Sequence, residues 1–409
     1  MKRPKTCRSD RRGALAPLTA FLMVPLLGMV AFGVDVGWMV LAQSDLQNSA
    51  DAAALAGAQS LMGQPTLSPS GRYTLNGGYV QYYLAGQSQQ SAILTAAQQA
   101  AIANAKLYAG KNSAGTVTSL SLNNGDVQFG NTDANGNFIA SSSGYPNTVQ
   151  VTMRLDGQAN GALPLAFAAI FGKTSQSMLA TASATIYTGT VNSLQNGSLL
   201  PSHMLPMAYD VNHWNNFLAT GQAPDGTTGS AVNGAPQLSV YPSTQFTGNF
   251  GLLSLDQSTD GASTISNWIN NGVQASDLQP EFNANLLPLS AHDPNTWDWK
   301  GNPGLKTSVI HTLANHVGDS YLMPLFKPYN AGVPNPATYA AGTGNGTNYY
   351  YNVVQFVGVT ITYVDNGSVS VQPCGVLDPN AVFSSVAPAA APTASTPLVS
   401  TFAAPKLTQ

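Results

Sequence analysis

The chain has 409 residues, of which only 8% are charged, and a formal net charge of −3. Six of its 15 basic residues lie in the first 12 positions, whereas the chain beyond Gln43 carries nine basic and 16 acidic residues, a net charge of −7. Nucleic-acid binding depends on basic patches that neutralise phosphates, so this distribution argues against a nucleic-acid partner. Two cysteines, Cys7 and Cys374, are too few for a disulfide scaffold.

An uncharged run of 22 residues, Gly13 to Val34, follows the basic segment. A helix of that length rises about 33 Å, enough to cross a hydrocarbon core of about 30 Å. Because Lys and Arg are retained on the cytoplasmic side, the run predicts a single-pass helix in the lipid bilayer, with the N-terminus in the cytoplasm and the bulk of the chain outside. The alternative is a cleaved signal peptide, but its apolar region is usually shorter, about 7 to 15 residues.

Three features within or next to this run lead to further predictions. Pro17 and Pro25 each remove a helical hydrogen bond and predict a kink. Gly33 and Gly37 form a GxxxG pair, which either faces lipid or lets a partner helix approach closely. Asp35 ends the apolar run, so it either marks the outer boundary of the membrane or makes a polar contact to another membrane subunit.

The helical pattern continues beyond the apolar run. Leucine, alanine and glycine recur every three or four residues as a small-residue stripe, formed by Leu46, Ala50, Ala53, Gly57 and Leu61. No helix breaker lies between the end of the apolar run and Gly63. The stripe therefore predicts a helical stalk, and so narrow an apolar face needs another element to cover it.

These N-terminal residues resemble a known family. Arg11-Arg12-Gly13, the apolar span, Val34-Asp35-Val36-Gly37, and the run from Leu46 to Ala58, which includes Ala50-Asp51-Ala52-Ala53, look like the N-terminal module of TadG-like proteins. The resemblance covers residues 11 to 62. It implies a bacterial inner-membrane protein of Flp/Tad pilus assembly, with other Tad pilus-assembly or pilin subunits as partners.

Two departures from related proteins limit what the resemblance implies. Prepilins carry Glu at the fifth position after the cleavage-site Gly, whereas Leu18 stands there, which argues against cleavage after Gly13. Many TadG-like proteins also carry a von Willebrand A domain with an Asp-x-Ser-x-Ser metal motif. The run from Asp256 to Asp260 has Asp in place of the second Ser, so a loop is favoured over a metal site.

The region after the stalk predicts an α+β domain. A helix is expected around Leu94 to Tyr108, ending at Gly110, and a hairpin around Asn135-Gly136. Alternating apolar residues predict half-buried strands at Val149 to Leu155 and Ala180 to Tyr187, joined through a short helix between Pro164 and Gly172.

The later part of the chain has a less regular pattern. Ser263-Thr264 is expected to cap a short helix, and another helix is expected after Thr307-Ser308. A hairpin is predicted at Asp365-Asn366-Gly367. From residue 378 onward, Pro, Ala, Ser and Thr dominate, so the tail is predicted to be disordered.

No catalytic motif stands out. His311 and His316 are five apart on a predicted helix, which is the wrong spacing for one metal ion, and His292-Asp293 beside Trp297-Asp298-Trp299 is more consistent with packing than with a polar pocket. Nucleophile-elbow, Walker and Rossmann motifs are missing from the sequence. We therefore expect a structural protein rather than an enzyme, with no cofactor and no metal.

The resulting prediction is an α+β protein with a long N-terminal transmembrane and stalk helix. Its segments are a basic cytoplasmic stretch (1–12), the helix (13–62), an α+β domain (63–190), a β-rich domain (191–377) and the tail (378–409). The predicted function is a membrane-anchored assembly component of a Flp/Tad-type pilus or related surface system, and the alternative is a tethered adhesion module unconnected to pili. Membrane or partner-helix contacts are assigned to Gly33, Asp35, Gly37, Leu46, Ala50, Asp51, Ala53 and Gly57.

Overall fold

A computed structural model gives the fold. It describes residues 15–133, 135–141, 143–195, 201–222, 228–232, 235–241, 252–255, 261–274, 277, 286–288, 299–302, 306–327, 350–351, 353–365, 367–393 and 398–408. The predicted cytoplasmic segment, the His292-Asp293 pair and the Asp256–Asp260 run lie outside these residues.

The described residues form six α-helices and twenty strands. The helices are α1 (Leu15–Met62), α2 (Gly78–Leu84), α3 (Gln87–Ala109), α4 (Val211–Thr220), α5 (Ala262–Asn271) and α6 (Thr307–Ala314). The strands are β1 (Gln64–Leu67), β2 (Tyr73–Asn76), β3 (Val127–Thr132), β4 (Phe138–Ala140), β5 (Thr148–Leu155), β6 (Leu163–Pro164), β7 (Ser175–Gln176), β8 (Met178–Gln195), β9 (Tyr209–Asp210), β10 (Thr228–Val232), β11 (Ala235–Tyr241), β12 (Leu253–Ser254), β13 (Leu286–Pro288), β14 (Trp299–Gly301), β15 (Ser320–Phe326), β16 (Tyr350–Tyr351), β17 (Val353–Val364), β18 (Val369–Pro373), β19 (Ala381–Pro388) and β20 (Phe402–Thr408).

The chain divides into two compact units, each built from separate stretches. The first unit comprises residues 1–53, 105–127 and 151–182. The second comprises residues 54–104, 128–150 and 183–409. The domain boundaries expected from the sequence remain a prediction.

In the first unit, α1 is joined to the start of β8 through side chains. Gln43 donates from its amide nitrogen to the carbonyl oxygen of Leu179 at 2.9 Å, and Gln47 donates to that of Thr181 at 3.3 Å. Arg154 on β5 forms ion pairs with Asp126 at 2.6 Å and Asp156 at 3.4 Å. The helix is therefore attached to its own unit by named polar contacts.

In the second unit, a mixed sheet surrounds an aromatic core. Its central strands follow the order β10-β11-β18-β17-β8, and β15 pairs antiparallel with β17 from Ser320↔Thr360 onward. Large side chains from α4, α5 and the strands are fully buried together, namely Trp214, Phe217, Trp268, Trp299, Tyr321, Tyr351 and Phe356. Burying each of them stabilises the unit by roughly 1.5–3 kcal/mol relative to exposure.

The α+β prediction and the long N-terminal helix are confirmed. Helix α1 runs unbroken through Pro25 to Met62. Helix α3, the β3–β4 pairing and strands β5 and β8 match the patterns that predicted them. Helices α5 and α6 also begin near their predicted positions, and β17 and β18 form the expected hairpin.

Three local predictions were wrong. Gly261 precedes α5 without a side-chain cap, so Ser263-Thr264 does not cap this helix. Pro164 ends β6 rather than opening a helix, and only Ala168–Phe171 forms a short 3-10 turn. The tail is not disordered throughout, because β19 and β20 pair with β8 and Phe402 is fully buried. Backbone hydrogen bonds to the long strand β8 and burial of Phe402 order the tail although it has few large apolar side chains.

Gly57 offers a direct test of close helix packing in the second unit. A β-carbon at Gly57 would lie 3.1 Å from the Val149 Cγ1 atom and 3.5 Å from the Ala101 carbonyl oxygen. We predict that Gly57→Leu lowers the free energy of unfolding by about 1–3 kcal/mol through overpacking. The measurement is denaturant unfolding of the full chain in detergent, followed by tryptophan fluorescence.

Gly37 on the same helix is the matched control. Nothing lies within 4 Å of a β-carbon placed there. Gly37→Leu should therefore leave the unfolding midpoint unchanged, and equal destabilisation by the two substitutions would contradict the packing assigned to Gly57.

Candidate functional site

Asp35 forms the most specific polar contact in the first unit. It lies on α1 and is only 3% exposed. Its Oδ1 atom accepts a hydrogen bond from the backbone N–H of Ala166 at 2.9 Å. Its Oδ2 atom accepts from Phe167 at 3.0 Å and Ala168 at 2.6 Å. The carboxylate thus binds three successive amides at the start of the 3-10 turn, where N–H groups have no partner within the turn.

These amides belong to a closed loop, residues 165–174, which we call the tip loop. The β6–β7 ladder closes its base with the pairs Leu163↔Gln176 and Pro164↔Ser175. At its far end, Gly172 adopts a left-handed conformation with φ 81°, and its N–H donates to Ala169 at 3.0 Å. A residue with a β-carbon would be disfavoured at this turn. The loop is therefore shaped by its own backbone and held to α1 by Asp35.

An apolar cavity of about 670 Å³, the helix–loop groove, lies between α1 and the tip loop. Its helix wall consists of residues on one face of α1, Val24, Leu27, Gly28, Ala31 and Phe32, and ends at Asp35. Its loop wall consists of Phe167, Ala168, Ile170, Phe171 and Lys173. The volume is in the range of small-molecule sites, about 300–1,000 Å³, but the lining is almost free of polar groups.

The apolar part of α1 is uncovered. Among the described residues, α1 is the one helix long and apolar enough to cross a membrane, and its most apolar stretch is not buried. More than half of each large side chain is exposed at Leu18, Phe21, Leu22, Met23, Val24, Leu26, Leu27, Met29, Val30, Phe32 and Val34. A core helix of a soluble protein would be largely buried, so this surface requires another apolar phase or partner to cover it.

Several residues predicted to contact the membrane or a partner helix pack within the chain itself. Leu46, Ala50 and Ala53 are fully buried within the chain's own fold, and Gly57 packs on Val149 and Ala101. Asp51 is half-buried and accepts a hydrogen bond from Gln47 at 2.8 Å. The chain's own fold therefore covers the stripe, as its narrow apolar face requires, and the predicted membrane or partner-helix contact of these residues stays a prediction.

Asp35 differs from Gly33 and Gly37 in its surroundings. The expected polar contact of Asp35 exists, but it is made to the chain's own tip loop rather than to another subunit. Gly33 and Gly37 are exposed, and a β-carbon added at either position would have nothing within 4 Å. Their predicted membrane or partner contact stays a prediction.

A second polar cluster lies inside the second unit around Asp319, which is fully buried. Its Oδ2 atom accepts from the Ser70 hydroxyl at 2.5 Å and lies 2.6 Å from His316 Nδ1. Arg72 lies 3.8 Å from the same oxygen and stacks over the Tyr321 ring at 5.1 Å. Sequence patterns did not indicate this cluster, because its members are up to 249 positions apart.

The cluster is arranged for structure rather than for nucleophilic attack. His316 Nε2 contacts the Asn270 side-chain oxygen at 2.8 Å, so both ring nitrogens are engaged. The Ser70 hydroxyl faces the carboxylate rather than the imidazole, which leaves no nucleophile–base pair in this cluster. The expectation that His316 belongs to a helix was wrong, since α6 ends at Ala314.

The N-terminal part of the chain matches a known family. Residues 13–60 match the family described as putative Flp pilus-assembly TadE/G-like, which confirms the resemblance over this segment. No curated protein and no solved structure matches the chain. The matched segment contains the helix wall of the groove, Asp35 and all of the small-residue stripe except Leu61, whereas the tip loop and the Asp319 cluster lie outside it.

His203 makes the stability of the protein sensitive to mild acid. Burial, together with the nearby Arg72 guanidinium, lowers the pKa of His203 from 6.5 to about 4, against an opposing pull from Asp319. Its Nδ1 atom has no hydrogen-bond partner among the described residues. Protons therefore bind the unfolded chain before the folded one, so stability is full above pH 6.5 and falls as the pH drops toward 4.

We predict that the free energy of unfolding of His203→Gln decreases less between pH 7 and pH 4 than that of the wild type, by about 1–3 kcal/mol. This range allows for solvent screening of a half-buried group. The measurement is the free energy of unfolding at several pH values between 7 and 4. The exposed His311 provides a control, because His311→Gln should keep the wild-type profile. An unaltered pH dependence in His203→Gln would rule out this role.

Proposed function

We propose that this chain is a single-pass, membrane-anchored assembly component of a bacterial Flp/Tad-type pilus or a related surface system. The observation that supports it most directly is the coincidence of two features in one segment. The family match covers residues 13–60, and the same residues contain the long helix with an uncovered apolar surface.

The apolar surface has the dimensions of a bilayer crossing. From Pro17 to Val34 none of the described side chains carries a charge, and this stretch rises about 27 Å as a helix, close to the thickness of a hydrocarbon core. An α-helix also satisfies its own backbone hydrogen bonds, as a crossing segment must. Lipid is therefore the covering phase that best fits the exposed leucine, methionine and phenylalanine side chains.

Charge sets the orientation in this proposal. Six basic residues precede the helix within the first 12 positions, and nine are spread over everything after Gln43. Retention of basic residues on the cytoplasmic side places the basic segment in the cytoplasm and the chain beyond the apolar run of α1 outside it.

The helix acts as more than a flexible tether. It continues to Met62 without a break, and Asp35, Gln43 and Gln47 bind backbone groups of the first unit. An anchor fixed in this way holds the folded part of the chain close to the membrane surface, which suits a subunit that assembles beside other membrane proteins. We infer that Tad pilus-assembly or pilin subunits are those partners.

The orientation predicts the behaviour of reporters fused after Gln409. Alkaline phosphatase should be active at that position and green fluorescent protein should be dark, since the first requires export and the second requires the cytoplasm. The fusion should also stay in the membrane pellet after carbonate washing. Deleting residues 15–34 is the control and should release the fusion from the membrane. A fluorescent green fluorescent protein fusion together with an inactive alkaline phosphatase fusion would overturn the orientation.

Loss of the chain should abolish surface pili and attachment, and full-length protein supplied in trans should restore both. Electron microscopy of the cell surface and a surface-adhesion assay measure the effect. Affinity purification from membranes then separates the two predicted functions. Recovery of secretion-platform or pilin subunits supports pilus assembly, whereas normal piliation with recovery of a cell-wall or foreign ligand supports an adhesion module.

A further inference from the structure

We propose that the tip loop inserts into the outer leaflet of the membrane beside α1, and that acyl chains of membrane phospholipids fill the helix–loop groove. This inference rests on the proposed function, because it requires α1 to span a bilayer. It adds a second membrane contact, made by residues far from the N-terminal segment.

The position of the groove along α1 supports insertion. The helix wall of the groove extends from Asp35 back to Val24, eleven residues toward the N-terminus. At about 1.5 Å per residue, this distance is about 16 Å, roughly half of a hydrocarbon core. Since Asp35 ends the apolar run, the loop wall opposite these residues lies on the hydrocarbon side of Asp35. The loop therefore reaches a depth where water is scarce.

The side chains of the tip loop suit that environment. Ile170 is 79% exposed and Phe171 is 83% exposed, and Phe167 is 39% exposed. Leaving three large apolar side chains in water on one ten-residue loop is unfavourable, whereas each gains transfer free energy in lipid. Aromatic and branched aliphatic residues of this kind anchor segments at a membrane interface.

The backbone of the tip loop is also prepared for a medium without water. Unpaired N–H groups are costly in hydrocarbon. Asp35 accepts hydrogen bonds from three backbone amides of the loop. Four more backbone amides donate to carbonyl oxygens within the loop; they belong to Leu165, Ile170, Gly172 and Lys173. This pairing explains why an otherwise irregular loop can lie at membrane depth, and why a carboxylate sits at its base.

Lys173 favours phospholipid over an apolar protein helix as the occupant. It is exposed and is one of two charged residues in the lining of the groove; the other, the Asp35 carboxylate, is already engaged by three amides of the tip loop. A lysine can pass its methylene chain along apolar surface while its ammonium group reaches the anionic phosphates of lipid headgroups. Apolar walls with one cation at the edge match a lipid, which combines acyl chains with a phosphate.

The test measures the depth of single labelled positions in the full chain. Phe171→Cys and, as a second reporter, Ile170→Cys are made in a Cys7→Ser background, where Cys374 is buried. Each protein is labelled with an environment-sensitive fluorophore and reconstituted in vesicles of phosphatidylcholine and phosphatidylglycerol. Quenching is measured with phosphatidylcholine that carries a nitroxide on its acyl chain, and separately with aqueous iodide. Both labels should lose most of their fluorescence to the nitroxide lipid and little to iodide.

Two further positions calibrate the result. Leu107→Cys reports an exposed apolar position on α3, 55% exposed, and should respond to iodide alone. Phe21→Cys reports the proposed span, where the side chain is 79% exposed, and should respond to nitroxide lipid. If Phe21 responds to lipid and both tip-loop labels respond to iodide, the insertion is wrong while the anchor stands. If Phe21 itself responds to iodide, the anchor fails as well. Tip-loop labels shielded from both quenchers would mean that protein covers the loop, which also overturns the lipid assignment.

Discussion

The contact between the Asp35 carboxylate and three backbone amides is the interaction on which the first unit depends. A carboxylate at the end of an apolar run loses its bound water when protein covers it. Its charge then needs hydrogen-bond donors from the protein in place of that water. Three successive N–H groups of the tip loop provide them at 2.6–3.0 Å. The same groups would themselves be unpaired at the start of a 3-10 turn. The carboxylate and the amides thus offset each other's desolvation cost, and displacing either one leaves the other without a hydrogen-bond partner.

A different constraint governs the rest of α1. Its small-residue stripe lets neighbouring backbone approach closely, as at Gly57, where the Ala101 carbonyl oxygen lies 3.5 Å from a β-carbon position. The Tyr145 hydroxyl then donates to the carbonyl of Leu61 near the end of the helix, at 2.7 Å. A helix with so few large side chains gains little from burial alone, so close approach and specific hydrogen bonds stabilise it instead. This explains why small residues recur here at helical spacing.

Sequence patterns predicted the local elements well and the long-range contacts poorly. Helix α1 and strands β5 and β8 follow from periodicity, since alternating apolar residues and uninterrupted three- and four-residue spacing are local signals. The partners of Asp35 are 131 to 133 residues away, and no pattern in either segment encodes their pairing. The same holds for Ser70 and Asp319. Composition was also a poor guide to the tail, because β19 and β20 are ordered mainly by backbone pairing to β8.

The second unit handles buried charge in another way. Asp319 has neighbouring donors from Ser70, Arg72 and His316, which surround one oxygen of a fully buried carboxylate. Arg72 also donates to the carbonyl of Ile269 at 2.7 Å, so it joins the start of β2 to the end of α5. In a chain with only 8% charged residues, such a cluster specifies which segments meet more than it adds net stability, since a buried ion pair roughly balances its own desolvation. In both units, therefore, a single buried carboxylate selects one long-range arrangement that apolar packing alone would leave undefined.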